Sequence, residues 1–253
     1  MEMDRNRERD LLKTLLANLA GLENIPPKLK DLGLTAFCAM EGENAVGGLM
    51  VIGRAVNGWE DKTWKVEELR NEGKIDGIIE GLYNFTSMDW VIDCRIHPEK
   101  YNNYLITRSA FWRVTESITK TLIPGATDIT WPNYLIYSNL YRVSPYNGGN
   151  PSNKLAEIQR TDCINLLKQE IAQWQPKRIL FLTGLNWADK FLTDDENGLG
   201  KMMDIRHKDG AVQMSGKLTI PQGTPIPFVA ASHPQGKPEG ELKEEIINHF
   251  GKS

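Results

Sequence analysis

Ser232-His233-Pro234 follows a short apolar run, Phe228-Val229-Ala230-Ala231. An imidazole there can hold or pass a proton near neutral pH, and a strand that runs into a histidine and a proline aims the ring at whatever lies beyond the strand end. Three earlier segments have the same build. Met50-Val51-Ile52 runs into Gly53-Arg54-Ala55-Val56-Asn57-Gly58, Tyr134-Leu135-Ile136-Tyr137 into Ser138-Asn139-Leu140-Tyr141-Arg142, and Ile179-Leu180-Phe181-Leu182 into Thr183-Gly184. These ends are polar or glycine-rich and carry an amide, an imidazole and a guanidinium. In a parallel sheet such loops gather at one edge, where ligands bind.

The elements that position them read as α/β. Core strands are expected at about 48–53, 134–140, 178–183 and 227–232. Helices are expected at 4–20, with Leu11, Leu12, Leu15, Leu16 and Leu19 at helical spacing, and at 109–122, where Phe111, Val114, Ile118 and Leu122 share a face. A third helix spans 153–174, with Ser152 as its cap, and Glu239 to Phe250 closes the chain. Residues 203–220 read as a hairpin turning near Lys208-Asp209-Gly210, and Trp187 to Leu192 as a short helix. Residues 59–110 carry aromatics, short helical pieces such as 64–71 and no clear strand. This reads as a long excursion from the sheet, of the kind that covers a site or meets a partner. The reading is one domain over 1–253 with that insertion.

Bulk properties narrow the classes. The chain has 253 residues, 25% of them charged, and a net charge of -3, so nucleic-acid binding needs a local basic patch. Cys38, Cys94 and Cys163 have no C-x-x-C spacing, which points to reduced thiols in a cytoplasmic setting and to no metal or cluster. His207 and His249 lack partners at ligand spacing, so no metal and no cofactor is expected. No apolar run approaches a membrane span and no signal peptide is read. Neither a G-x-G-x-x-G nor a P-loop pattern occurs, which ranks a nucleotide-phosphate enzyme last.

These loops, in this order, resemble the uracil-DNA glycosylase superfamily. The resemblance covers about 48–58 and 108–250. Gly53-Arg54-Ala55-Val56-Asn57-Gly58 is similar to that family's first motif, Ala110-Phe111-Trp112-Arg113 to its base-stacking segment, and Asn139 to its base-reading asparagine. Tyr141-Arg142-Val143-Ser144-Pro145 and Ser232-His233-Pro234-Gln235-Gly236-Lys237 are similar to its later loops. The resemblance implies a three-layer α/β/α sandwich around a short, mostly parallel four-stranded sheet. It implies a protein that takes a flipped base from DNA, in single or double strands, and cleaves the N-glycosidic bond in base-excision repair. Phe111 would stack on the base, Asn139 would read its edge beside Gly53, Arg54 and Ala55, and a neutral His233 would donate to its carbonyl. Arg113, Arg142, Gly236 and Lys237 would meet the DNA backbone.

The first motif departs from the family's pattern. Its water-activating positions hold Arg54 and Ala55, neither a general base at neutral pH, and its proline is missing. Asn57, Glu60 or Asp61 would have to supply that group, with Asn57 the candidate catalytic partner of His233. A catalytically silent binder of nucleic acid, a modified base or a protein on the same fold stays open. Each residue also has a plainer reading: Phe111 as core, Asn139 and Asn57 as turn residues, His233 as a satisfied loop residue and Arg142 as a surface ion pair.

Overall fold

The computed structural model describes residues 5–56, 63–194, 197–221 and 223–251. In chain order it contains α1 (Asn6–Ala20), α2 (Pro27–Lys30), β1 (Leu34–Ala36), β2 (Met40–Glu41) and β3 (Leu49–Ala55). Then come α3 (Lys74–Tyr83), α4 (Trp90–Ile96), α5 (Ala110–Leu122), β4 (Leu135–Tyr141), β5 (Val143–Pro145) and α6 (Asn153–Trp174). The chain ends with β6 (Arg178–Phe181), α7 (Leu185–Ala188), β7 (Lys201–His207), β8 (Val212–Thr219), β9 (Ile226–Ala231) and α8 (Glu239–Gly251).

The protein is α/β, with a mixed central sheet in the order β2-β4-β3-β6-β9-β8-β7. β3, β6 and β9 pair in parallel, with Ile52 beside Phe181 and Phe181 beside Ala230. They are apolar on both faces, as strands covered on both sides must be. The sheet has seven strands rather than the expected four. The hairpin expected over 203–220 forms as β7 and β8, and β8 pairs antiparallel with β9 from Val212–Ala231 to Leu218–Ile226. β2 adds a two-residue strand to β4 at the other end. A hairpin's own pattern does not say what its second strand will pair with, and that choice accounts for two of the three extra strands.

The chain divides into two compact units. One comprises Met1–Ala39, Arg54–Thr86 and Asn139–Glu170. Its core takes Leu12, Leu15, Leu16 and Leu19 from the α1 stripe, with Phe37, Leu69, Leu82, Leu155 and Leu167. Here β1 pairs antiparallel with β5, and Ser152 caps α6, its hydroxyl accepting from the Leu155 N–H at 3.3 Å. The other comprises Met40–Gly53, Ser87–Ser138 and Ile171–Ser253. It buries the parallel strands with Val114, Ile118, Trp131, Trp174, Leu242 and Ile246.

The long excursion is therefore shared between the units. Among its described residues it holds α3, α4 and 3-10 turns at Val66–Arg70, Pro98–Tyr101 and Ile106–Arg108, and only isolated bridges of Trp64 to Leu34 and of Ser87 to Glu41. No helix among the described residues is long and apolar enough to cross a membrane.

Candidate ligand site at the strand edge

The shared direction of β3, β6 and β9 puts Gly53, Leu182-Thr183-Gly184 and Ser232-His233 at one edge of the second unit. Backbone bonds tie the edge together. The Leu182 N–H donates to Ile52 O at 3.0 Å, and the Gly184 N–H to Ala231 O at 2.8 Å. The Ser232 N–H donates to Ala211 O at 2.8 Å, which brings the β7–β8 turn to the same edge.

His233 is half-buried. Its Nδ1 accepts from the Gln235 N–H at 3.3 Å, so the neutral ring carries its proton on Nε2. The ring stacks on Phe111, with centroids 6.4 Å apart and planes 30° apart. Phe111 in turn meets Tyr137 edge-on at 5.7 Å and Trp112 edge-on at 5.1 Å. Trp112 is buried and lies 5.0 Å from Tyr137, 5.4 Å from Trp90 and 6.3 Å from Trp131. Each such pair contributes about 0.5–1.5 kcal/mol beyond the area it buries. The Phe111 ring is thus seated on a packed aromatic platform, with part of its surface open.

The loop beyond His233 is shaped by its backbone. The Lys237 N–H donates to Pro234 O at 3.0 Å, and Gly236 adopts a φ of 72°, where a side chain would be strained. Lys237 is exposed. Arg113, one turn into α5, donates from Nη1 to Thr107 O at 2.8 Å and from Nε to the Glu239 carboxylate at 3.2 Å, with a further short contact from Nη2 to Glu239. The Arg113 hydrogen bond holds the Glu239 carboxyl below its ordinary range, and the Arg113 charge is reinforced in return.

Of the residues expected from sequence, Phe111, His233, Gly53, Arg113, Gly236 and Lys237 belong to this unit, and Phe111 and His233 are in direct contact. Arg54, Ala55, Asn139 and Arg142 belong to the other unit. Arg54 and Ala55 are half-buried there, and burial holds the Arg54 guanidinium below its ordinary value. Asn139 is fully buried. Arg142 differs from the expected phosphate contact: it is 0% exposed, with its Nη2 on the Glu170 carboxylate at 2.8 Å. A guanidinium so enclosed has no route to a DNA backbone. Asn57, Glu60 and Asp61 lie outside the described residues.

Two features of the edge were not visible in the sequence. Tyr137 supports Phe111 through strand-to-helix packing. A cleft lined by Leu185, His207, Lys208, Asp209, Gly210 and Gln213 lies where the β7–β8 turn meets the start of α7. Its wall is fixed by Gln213, whose Oε1 accepts the Leu185 N–H at 2.8 Å, and by Glu245, which accepts the Val212 N–H at 3.1 Å and faces Lys208 at 3.7 Å. The turn was legible as Lys-Asp-Gly, but its position depended on the β8–β9 pairing.

Other chemistries find less support. The three cysteines are buried and free. Burial pushes the Cys38 and Cys163 thiols up to about 12 and raises Cys94 as well, which makes poor nucleophiles of all three at neutral pH. Among the described residues, no group of three His, Cys, Asp or Glu is placed to hold a metal ion. What the edge offers is a half-buried aromatic ring in contact with an imidazole. Comparison of the chain with models of known protein families, and with curated proteins, finds no match.

Proposed function

We propose that the protein holds a nucleobase against Phe111 and His233 and acts as a uracil-DNA glycosylase-like N-glycosidase, on the three-layer α/β/α architecture that this resemblance implies. The observation that carries the reading is the His233–Phe111 stack, with Nδ1 occupied by the Gln235 N–H so that the neutral ring presents its proton from Nε2.

The reaction would run as a hydrolysis. The bond from the anomeric carbon to the base nitrogen breaks, and the base leaves with the electron pair. Water oxygen bonds to the anomeric carbon, and a water proton ends on the base. Negative charge grows on the base carbonyl as the bond opens, and an N–H already aimed there is stabilising without reorganisation. Phe111 would offer the stacking face that an unstacked base needs. The group that activates water falls to Asn57, Glu60 or Asp61, because Arg54 and Ala55 carry no base.

A second reading has its own support. Arg54 and Ala55 at the water-activating positions favour a silent member of the fold that binds the base without cleaving it. An excision assay separates the two. Oligonucleotides carrying uracil, hypoxanthine, xanthine or a G·T mismatch are incubated with wild type, His233→Ala and Phe111→Ala. Abasic sites that both substitutions abolish are the expected result. Binding without excision would favour the silent reading, and neither binding nor excision would overturn the base-holding site.

A further inference from the structure

Three Asn-Gly steps occur in the chain, at 57–58, 147–148 and 197–198. The first lies outside the described residues. We propose that Asn147 is a self-modifying site, which loses its side-chain amide in the folded protein while Asn197 is held intact. The proposal goes beyond the base-holding reading and does not depend on it.

The chemistry needs only solvent. A glycine after asparagine leaves the peptide nitrogen unshielded by any side chain. The Gly148 nitrogen gives its proton to solvent and bonds to Asn147 Cγ. The bond from Cγ to Nδ2 breaks, and the amide leaves as ammonia. Water then opens the five-membered imide. Breaking the bond from nitrogen to Cγ leaves aspartate, and breaking the bond from nitrogen to the main-chain carbonyl carbon leaves isoaspartate.

Attack requires the peptide after the asparagine to turn toward its side chain. Asn147 is exposed, and among the described residues its amide has no hydrogen-bond partner. Gly148 and Gly149 follow with φ of 93° and 98°, and no atom outside the adjoining residues lies within 4 Å of where a side chain on Gly149 would start. One backbone bond restrains the turn, from the Gly148 N–H to Pro145 O at 3.2 Å. Asn197 is the reverse case. Gly198 is buried, and a side chain there would start 2.1 Å from Thr193 O, so the glycine is seated on that carbonyl. The Leu199 N–H donates to Phe191 O at 2.9 Å, and a side chain on Gly200 would start 2.3 Å from Thr219 O. Turning the peptide after Asn197 would drive Gly198 into Thr193.

The products change the loop between β5 and α6. Aspartate adds a negative charge there. Isoaspartate lengthens the main chain by one carbon between Tyr146, whose N–H donates to Gly33 O at 2.9 Å, and the Ser152 cap of α6.

The test incubates the folded protein at mildly alkaline pH and maps it by trypsin and mass spectrometry. Peptides Val143–Lys154 and Phe191–Lys201 separate the two steps. The expected result is a gain of one mass unit in the first, split into two chromatographic forms, at a rate severalfold above the second. In urea, where both glycines are freed, the two rates should converge. Asn147→Gln, whose extra methylene disfavours ring closure, should remove the change from Val143–Lys154. Asn147 that survives as long as Asn197 in the folded protein overturns the proposal. A difference that persists in urea also overturns it, because its cause would then lie in the neighbouring sequence and not in the fold. Neither outcome bears on Phe111 or His233.

Discussion

Nη2 of Arg142 lies 2.7 Å from Oε1 and 2.8 Å from Oε2 of Glu170, and each side chain is 1% accessible. Burial works most strongly against the Arg142 charge, yet Glu170, helped by Cys163 and Glu8, offsets it and the guanidinium is held above its ordinary value. Gln159, three turns before Glu170 on α6, completes the corner. Its Oε1 accepts the N–H groups of Arg142 at 3.0 Å and Val143 at 2.9 Å, and its Nε2 donates to Val143 O at 2.8 Å. The polar side chains of α6 thus lock the turn from β4 to β5.

Removing one member of this pair leaves a buried charge alone. Glu170→Gln or Arg142→Met should each destabilise the protein by about 3–5 kcal/mol in urea unfolding. Arg142→Met/Glu170→Leu should cost clearly less than the sum, because both charges leave together. Additive losses would show that the pair does not act as a unit.

At the strand edge, Phe111→Leu keeps an apolar side chain on α5 but loses the flat face against His233 and Tyr137. The smaller side chain gives up part of the ring's packing, and at this half-buried position the loss should be about 1 kcal/mol of stability. Base binding should weaken by about tenfold, the equivalent of about 1.4 kcal/mol for one lost aromatic stack. Calorimetry on the folded variant checks it; unchanged affinity would remove Phe111 from the site.

Ser152→Ala removes the acceptor for the Leu155 N–H at the start of α6. The loss should be about 1 kcal/mol, with no change in the denaturant dependence of the unfolding free energy. Ser152→Asp should restore most of it, since a carboxylate caps equally well and suits the helix N-terminus.

Alkaline pH should destabilise the fold through Cys38 and Cys163. Burial raises both thiols from 9.0 to about 12, so the folded state keeps protons that the unfolded chain releases. The stability they contribute is whole below about pH 9 and is lost as pH rises toward 12. In that window each thiol should lower stability by about 1.4 kcal/mol per pH unit. Wild type compared with Cys38→Ala/Cys163→Ala across pH 8–11 reads this directly, with the variant showing the shallower decline.

Much of the frame can be read from the chain, because it rests on local rules. The leucine spacing of α1, the Ser152 cap of α6 and the turn at Lys208-Asp209-Gly210 are set by periodicity and backbone preference within a few residues. The four apolar runs that became β3, β4, β6 and β9 declared themselves in the same way. α3 did not, since Gly77 and Gly81 interrupt Lys74–Tyr83 and glycine weakens the helical signal. β1, β2 and β5 are two or three residues long and exist only through their partners.

The site divides along the same line. That a histidine follows a strand, and that an aromatic opens a helix, was visible residue by residue. Their stacking at 6.4 Å was not, because residues 111 and 233 meet only once α5 and β9 have packed. Nor could the sequence tell a surface arginine from a buried one. Arg142 looks polar in any window, and only the fold brings Glu170, 28 positions later, close enough to offset its desolvation. Pattern determined which elements form. Long-range pairing decided which side chains meet, and so which charges face water and which are enclosed.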